Sequence, residues 1–87
     1  MKTNPDELIL FALVRQQDES GVSGTGTVAY GIRFPEPNGR VALGWVADNH
    51  PHTSVAVYDS LEAVESIHGH GGKTTIVPQY RYDTGKQ

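Results

Sequence analysis

An uninterrupted apolar run, Leu8-Ile9-Leu10-Phe11-Ala12-Leu13-Val14, constrains this chain more than any other stretch. It is too short for an uncapped helix and β-rich enough for a buried strand. It is expected to be the central strand of a sheet, so the rest of the chain must supply its neighbours.

Neighbours are legible further on. In Thr27–Phe34 (TVAYGIRF), Val28, Tyr30 and Ile32 share one face and Ala29, Gly31 and Arg33 the other, the alternation of a half-buried strand. Pro-Glu-Pro-Asn-Gly at 35–39 stops the ladder, and Asn38-Gly39 tolerates the positive φ of a hairpin turn. Arg40–Ala47 carries Trp45 on the face of Val41 and Leu43, and Ser54–Tyr58 makes a fourth strand. Asp59-Ser60-Leu61-Glu62 is a helix start, an N-cap acceptor with Glu at N3 closing a capping box. Leu61, Val64 and Ile67 are expected to face the sheet, Glu62, Glu65 and Ser66 the water. The helix ends at Gly69, and Thr74–Tyr80 gives a last strand that Pro78 confines to an edge or an end. The order β-β-β-β-α-β predicts an α+β fold, a small, mainly antiparallel sheet with one helix packed on a face. The whole chain, 1–87, reads as one domain with its core at about 8–80 and a polar tail over 81–87.

Such a domain buries only about 60–65% of its unfolded surface, so a second copy sharing apolar area is expected, and the chain is read as a homo-oligomer. The net charge of −3 and the single scattering of the basic residues argue against an extended nucleic-acid footprint. No cysteine is present, which excludes thiolate metal ligation and fits a reducing, intracellular compartment. No apolar run approaches the ~18 residues of a membrane span, and the start MKTNPDE lacks the apolar stretch of a signal peptide.

Two glycine-rich segments carry what chemistry the chain offers. His68-Gly69-His70-Gly71-Gly72-Lys73-Thr74 combines imidazoles, positive-φ-tolerant glycines, an ammonium and a hydroxyl. Its GGKT end resembles a phosphate-binding Walker A loop but has Ile67 where that loop needs glycine, and it runs from helix to strand rather than strand to helix. What remains is a nest, in which successive N–H groups point at an anion beside Lys73 and Thr74. Ser20-Gly21-Val22-Ser23-Gly24-Thr25-Gly26 alternates glycine with hydroxylated residues and permits close backbone approach. The expected ligand site joins Ser20, Ser23, Gly24, Thr25 and Gly26 to His68, His70, Gly71, Gly72, Lys73 and Thr74, from one subunit or two.

Competing readings are weaker. The pairs His50/His52 and His68/His70 have the His-x-His spacing that serves zinc on a strand, but they sit in predicted loops, so no metal site and no cofactor is expected. His68 or His70 would suit a general acid or base, and His52-Thr53-Ser54 echoes half of a two-histidine phosphoesterase signature, yet only one copy is present. No catalytic residue is assigned. Trp45 is read as core rather than as a stacking platform.

The stretch Asp18-Glu19-Ser20-Gly21-Val22-Ser23-Gly24-Thr25-Gly26, then Trp45, Ser60, and Val64 with Ile67-His68-Gly69-His70-Gly71-Gly72 and Thr74, resembles a group of short proteins from bacteria and their phages, over roughly residues 8–77. The resemblance implies a cytoplasmic setting in a bacterial host and supplies no catalytic or binding residues. Phages deploy small sponge proteins against nucleotide immune signals, and by analogy of size and setting the first expectation is a non-catalytic binder of a phosphorylated, nucleotide-like small molecule. The runner-up is a protein–protein interaction or inhibitor module acting through a sheet edge or the helix face, and a His-dependent phosphoesterase ranks third.

Overall fold

In the computed structural model, residues 3–16, 26–46 and 54–86 are described. Five strands, β1 (Glu7–Arg15), β2 (Gly26–Arg33), β3 (Val41–Trp45), β4 (Val55–Tyr58) and β5 (Thr74–Asp83), form one sheet in the order β4-β3-β2-β1-β5. Every neighbouring pair is antiparallel. The helix α1 (Leu61–His68) lies between β4 and β5 in the chain and carries it from one edge of the sheet to the other. This is the expected α+β fold with the expected element order. The apolar run became β1, an interior strand, although β2 rather than β1 sits at the centre.

Sheet polarity follows from one close approach. Phe11 pairs with Gly31 across β1 and β2, and a Cβ on Gly31 would collide with the Phe11 ring. The ring therefore lies over the glycine, and every residue in phase with it turns the same way. That face carries Ile9, Phe11 and Leu13 from β1, Ala29 from β2, and Val41 and Leu43 from β3, all buried, and α1 covers it with Leu61 and Val64. The alternation in β2 thus resolves against its apparent apolarity: Ala29, Gly31 and Arg33 face the core, while Tyr30 is exposed. Val28 is buried as the extra residue where the β1/β2 register shifts. Arg33 tolerates burial because its guanidinium donates to the carbonyls of Asn4 (3.0 Å) and Glu7 (2.9 Å) and to Glu36 (3.2 Å).

Two details of α1 differ from expectation. Ser60, in extended backbone, is the N-cap and its Oγ accepts from the Ala63 N–H at 3.1 Å, which puts Glu62 at N2 and leaves no capping box. Ile67 does not face the sheet and is 58% exposed. At about 100° per residue, Leu61, Val64 and His68 fall within about 60° of arc, whereas Ile67 lies about 120° from Leu61. The inward stripe is therefore Leu61, Val64 and His68.

Asn38-Gly39 turns as expected: Gly39 has φ 65°, and the Asn38 side chain accepts from the Arg40 N–H at 2.9 Å. β5 runs to Asp83, into the stretch read as a tail, and is an edge strand, as Pro78 requires. Arg81 secures this extension by donating to both carboxylate oxygens of Glu7, at 2.8 and 3.1 Å. No helix among the described residues is long and apolar enough to cross a membrane.

Gly31→Ala is expected to destabilise the fold by about 1–3 kcal/mol through overpacking against Phe11, with part of the loss recovered by adding Phe11→Leu; urea denaturation of the single and double variants measures both. The Arg81 hydrogen bonds, then the Asn4 backbone N–H, hold the Glu7 carboxyl below its ordinary value. The folded state therefore binds fewer protons than the unfolded state, so this clamp stabilises above the ordinary carboxylate range and its contribution is lost as pH falls through it. Melting curves at stepped pH should show wild type losing its advantage over Glu7→Gln as the solution is acidified.

Candidate functional site

The antiparallel order fixes which segments can meet. β1 and β3 end, and β2, β4 and β5 begin, at the same end of the sheet, so Gln16, Gly26, Trp45, Ser54 and Thr74 border one rim. The helix returns the chain to this rim, and the turn from Gly69 to Lys73 closes over it. Of the predicted site residues, Gly26, His68, His70, Gly71, Gly72, Lys73 and Thr74 are gathered here. Ser20, Ser23, Gly24 and Thr25 lie outside the described residues, as do His50 and His52.

The rim is stitched by buried polar contacts. Arg15, in phase with Phe11 and Leu13, pairs with Gly26 on one side and Thr74 on the other and is only 7% exposed. Its Nε donates to Thr74 Oγ1 at 3.3 Å, so the hydroxyl expected to face a ligand is buried against a guanidinium. Gln16 N–H donates to the Lys73 carbonyl at 2.6 Å. The Gly69 carbonyl accepts from the N–H groups of Gly72 (3.1 Å) and Thr74 (3.0 Å), which draws the segment into a tight turn around Gly71 (φ 66°) and Gly72 (φ 94°). Those positive φ values, rather than lack of room, are why glycine is required at 71 and 72. They also turn two of the nest's N–H groups inward. What the turn presents to solvent is Gly71, Gly72 and Lys73, all exposed, with Arg15 behind them. Arg15 and Lys73 flank Thr74, one as its cross-strand partner and the other as its chain neighbour.

His68 closes the helix side of the rim. Its Nε2 shares a 2.8 Å hydrogen bond with the Tyr58 hydroxyl: the phenol donates to a neutral Nε2, or a protonated ring donates to the phenol. Trp45 meets the imidazole edge-on at 4.9 Å between centroids, and Tyr58 does so at 5.6 Å. A ring gripped on two sides at a helix C-terminus, where the dipole favours positive charge, is an oriented polar group rather than a solvated turn residue. Trp45 and Tyr58 also pack on the core, as the sequence reading of Trp45 expects. No group of three or more His, Cys, Asp or Glu among the described residues is arranged to hold a metal.

Sequence reasoning missed Arg15, Tyr58 and Trp45 as parts of this rim. Arg15 was findable: it continues the every-second-residue phase of Ile9, Phe11 and Leu13, and a charge in that phase at a strand's end marks a buried cation or a site. The opposite end of the molecule holds a shallow depression of about 370 Å³ lined by Arg33, Glu36, Ser60 and Glu62 among others. Its one buried cation is already occupied by two carbonyls and Glu36, so it offers an anion little.

Fold and rim together define a small α+β protein that collects a glycine turn, two cations and an oriented imidazole at one end of an antiparallel sheet. The chain belongs to the Acb5 phage protein family, whose sequence model matches residues 8–79, from the start of β1 into β5. No curated protein and no solved structure matches it.

Thr74→Val removes the acceptor that Arg15 uses while keeping the shape, and leaves a buried charged donor without that partner. It is expected to cost about 1–3 kcal/mol in urea unfolding, and Thr74→Ser should restore most of it.

Proposed function

We propose that this phage-family protein is a non-catalytic binder of a phosphorylated, nucleotide-like small molecule, a sponge for a nucleotide immune signal of the host. The observation that carries the reading is the buried Arg15 held against Thr74, next in the chain to Lys73 and the Gly71-Gly72 turn. A bound phosphate needs charge-assisted donors to replace its water, and this rim supplies two cations of different kinds: a guanidinium fixed by its neighbours and an ammonium on a flexible stem. The two glycine-rich segments of the sequence both start or end at it. Trp45 and Tyr58, packed between the core and His68, hold that imidazole in place.

A second reading has an observation of its own. The Tyr58–His68 hydrogen bond orients an imidazole on the β3/β4 side of the rim, and a fixed imidazole is what a general acid or base for phosphodiester cleavage needs.

Calorimetry against a panel of cyclic dinucleotides and ADP-ribose derivatives, followed by chromatography of the ligand released on denaturation, separates the two. Intact ligand supports sequestration, cleaved ligand supports the second reading, and no heat from any panel member sinks both. Lys73→Ala is expected to weaken binding roughly ten- to a hundred-fold, a charge-assisted hydrogen bond of about 1.5–3 kcal/mol, while leaving folding intact. Wild-type affinity in that variant would move the pocket elsewhere.

A further inference from the structure

The sheet face opposite α1 has nothing packed on it among the described elements, yet it is apolar. Residues out of phase with Phe11 make it up: Leu10 on β1, Tyr30 on β2, Val55 and Val57 on β4, Val77 and Tyr80 on β5. Tyr30 is 58% exposed, Val55 69%, Val57 68% and Tyr80 54%, and the others are at least partly exposed. No strand-paired position on this face carries a charge: Glu7, Arg15, Arg33, Arg81 and Asp83 all lie in the other phase. A sheet with two apolar faces wants two covering layers, and the single helix supplies one.

We infer that this face is the interface of a homodimer, in which two sheets pack back to back through Leu10, Tyr30, Val55, Val57, Val77 and Tyr80. Size is the first argument. Five strands at about 4.8 Å spacing and five or six residues at about 3.3 Å rise cover about 400–500 Å² in projection, and side-chain relief brings the accessible area towards the ~800 Å² per partner of a standard interface. Charge is the second. In a two-fold interface each residue near the axis meets its own copy, so any charge there faces a like charge. A chain of net charge −3 that keeps the strand-paired positions of this face neutral avoids that penalty, whereas a foreign partner would impose no such requirement. Packing geometry is the third: two antiparallel sheets stack about 10 Å apart, filled by side chains of the kind found here.

The test uses the full chain in sedimentation equilibrium. The expected species has twice the 9.5 kDa of the chain. Tyr30 lies on the middle strand, close to the axis of such a dimer, so Tyr30→Lys brings two ammonium groups together and should weaken association by about 30-fold or more, the scale of a hot-spot loss. Val57→Lys should act in the same direction, and Glu62→Lys on the helix side should leave the dimer intact. A readout that needs no charged variant uses the absence of cysteine: a short bismaleimide should join two Tyr30→Cys chains and leave Glu62→Cys chains single. A wild-type monomer at tens of micromolar, a dimer indifferent to both lysine substitutions, or cross-linking through position 62 in place of 30 would overturn the assignment. Ligand binding is not needed for any of these outcomes, so they stand apart from the proposed function.

Discussion

The contact of the Phe11 ring with Gly31 sets the phase of the whole sheet. A strand's side chains alternate with a period of two, so a slip of one residue between β1 and β2 would send every side chain to the other face. With Phe11 inward, Ile9, Leu13 and Arg15 are inward as well. Through the ladder so are Ala29, Leu43, Trp45, Ile76 and Thr74. The core and the rim are therefore one consequence of one register: apolar residues in this phase make the core, and the polar ones at its end make the candidate site. The same register strands Leu10, Tyr30 and Val57 on the far side, where no second helix among the described residues covers them.

The fold was readable because its signals are local. Strand alternation, the Asn38-Gly39 turn, the proline in β5 and the helix-start residues each act within a few positions, and their order leaves little topological freedom. What sequence could not weigh was competition between faces. β2 offers Val28, Tyr30 and Ile32 as the richer apolar set, but only the poorer set leaves the space that Phe11 needs, and that fact belongs to β1. Ile67 misled for a related reason: i+6 is a poor continuation of a helical stripe, and the i+7 position was held by a histidine, a residue not counted as apolar though its ring packs like one. At the site, the glycine turn was legible from residue type, whereas the burial of Thr74 and the presence of Arg15 came from strand pairing across 59 positions of sequence.

The rim's electrostatics are local, not global. The chain is negative overall, so an anion is drawn to it only within reach of Arg15 and Lys73, about a Debye length in physiological salt. Arg15 is the more constrained of the two. Its Nε is tied to Thr74, which holds the plane of the guanidinium and, under the proposed function, would lower the entropy lost when a phosphate engages it. Lys73 brings a second positive charge, and its carbonyl accepts from the Gln16 N–H.

The two proposed surfaces share a sheet but not a face, and their relation depends on the direction of the dimer axis. Two sheets stacked back to back can be related by a two-fold axis parallel to the strands or by one perpendicular to them within the interface. A parallel axis puts both rims at the same end, but an axis beside Tyr30 on the middle strand sends the two copies of Lys73, each at the start of edge strand β5, to opposite edges, about two strand spacings of ~4.8 Å to either side, so each rim holds a ligand alone. A perpendicular axis puts them at opposite ends, and each rim must then hold a ligand alone. Either symmetry therefore expects one ligand per chain, because a back-to-back packing centred on β2 keeps the two glycine turns, at the start of β5, on opposite edges or at opposite ends of the dimer, beyond the span of a single small molecule.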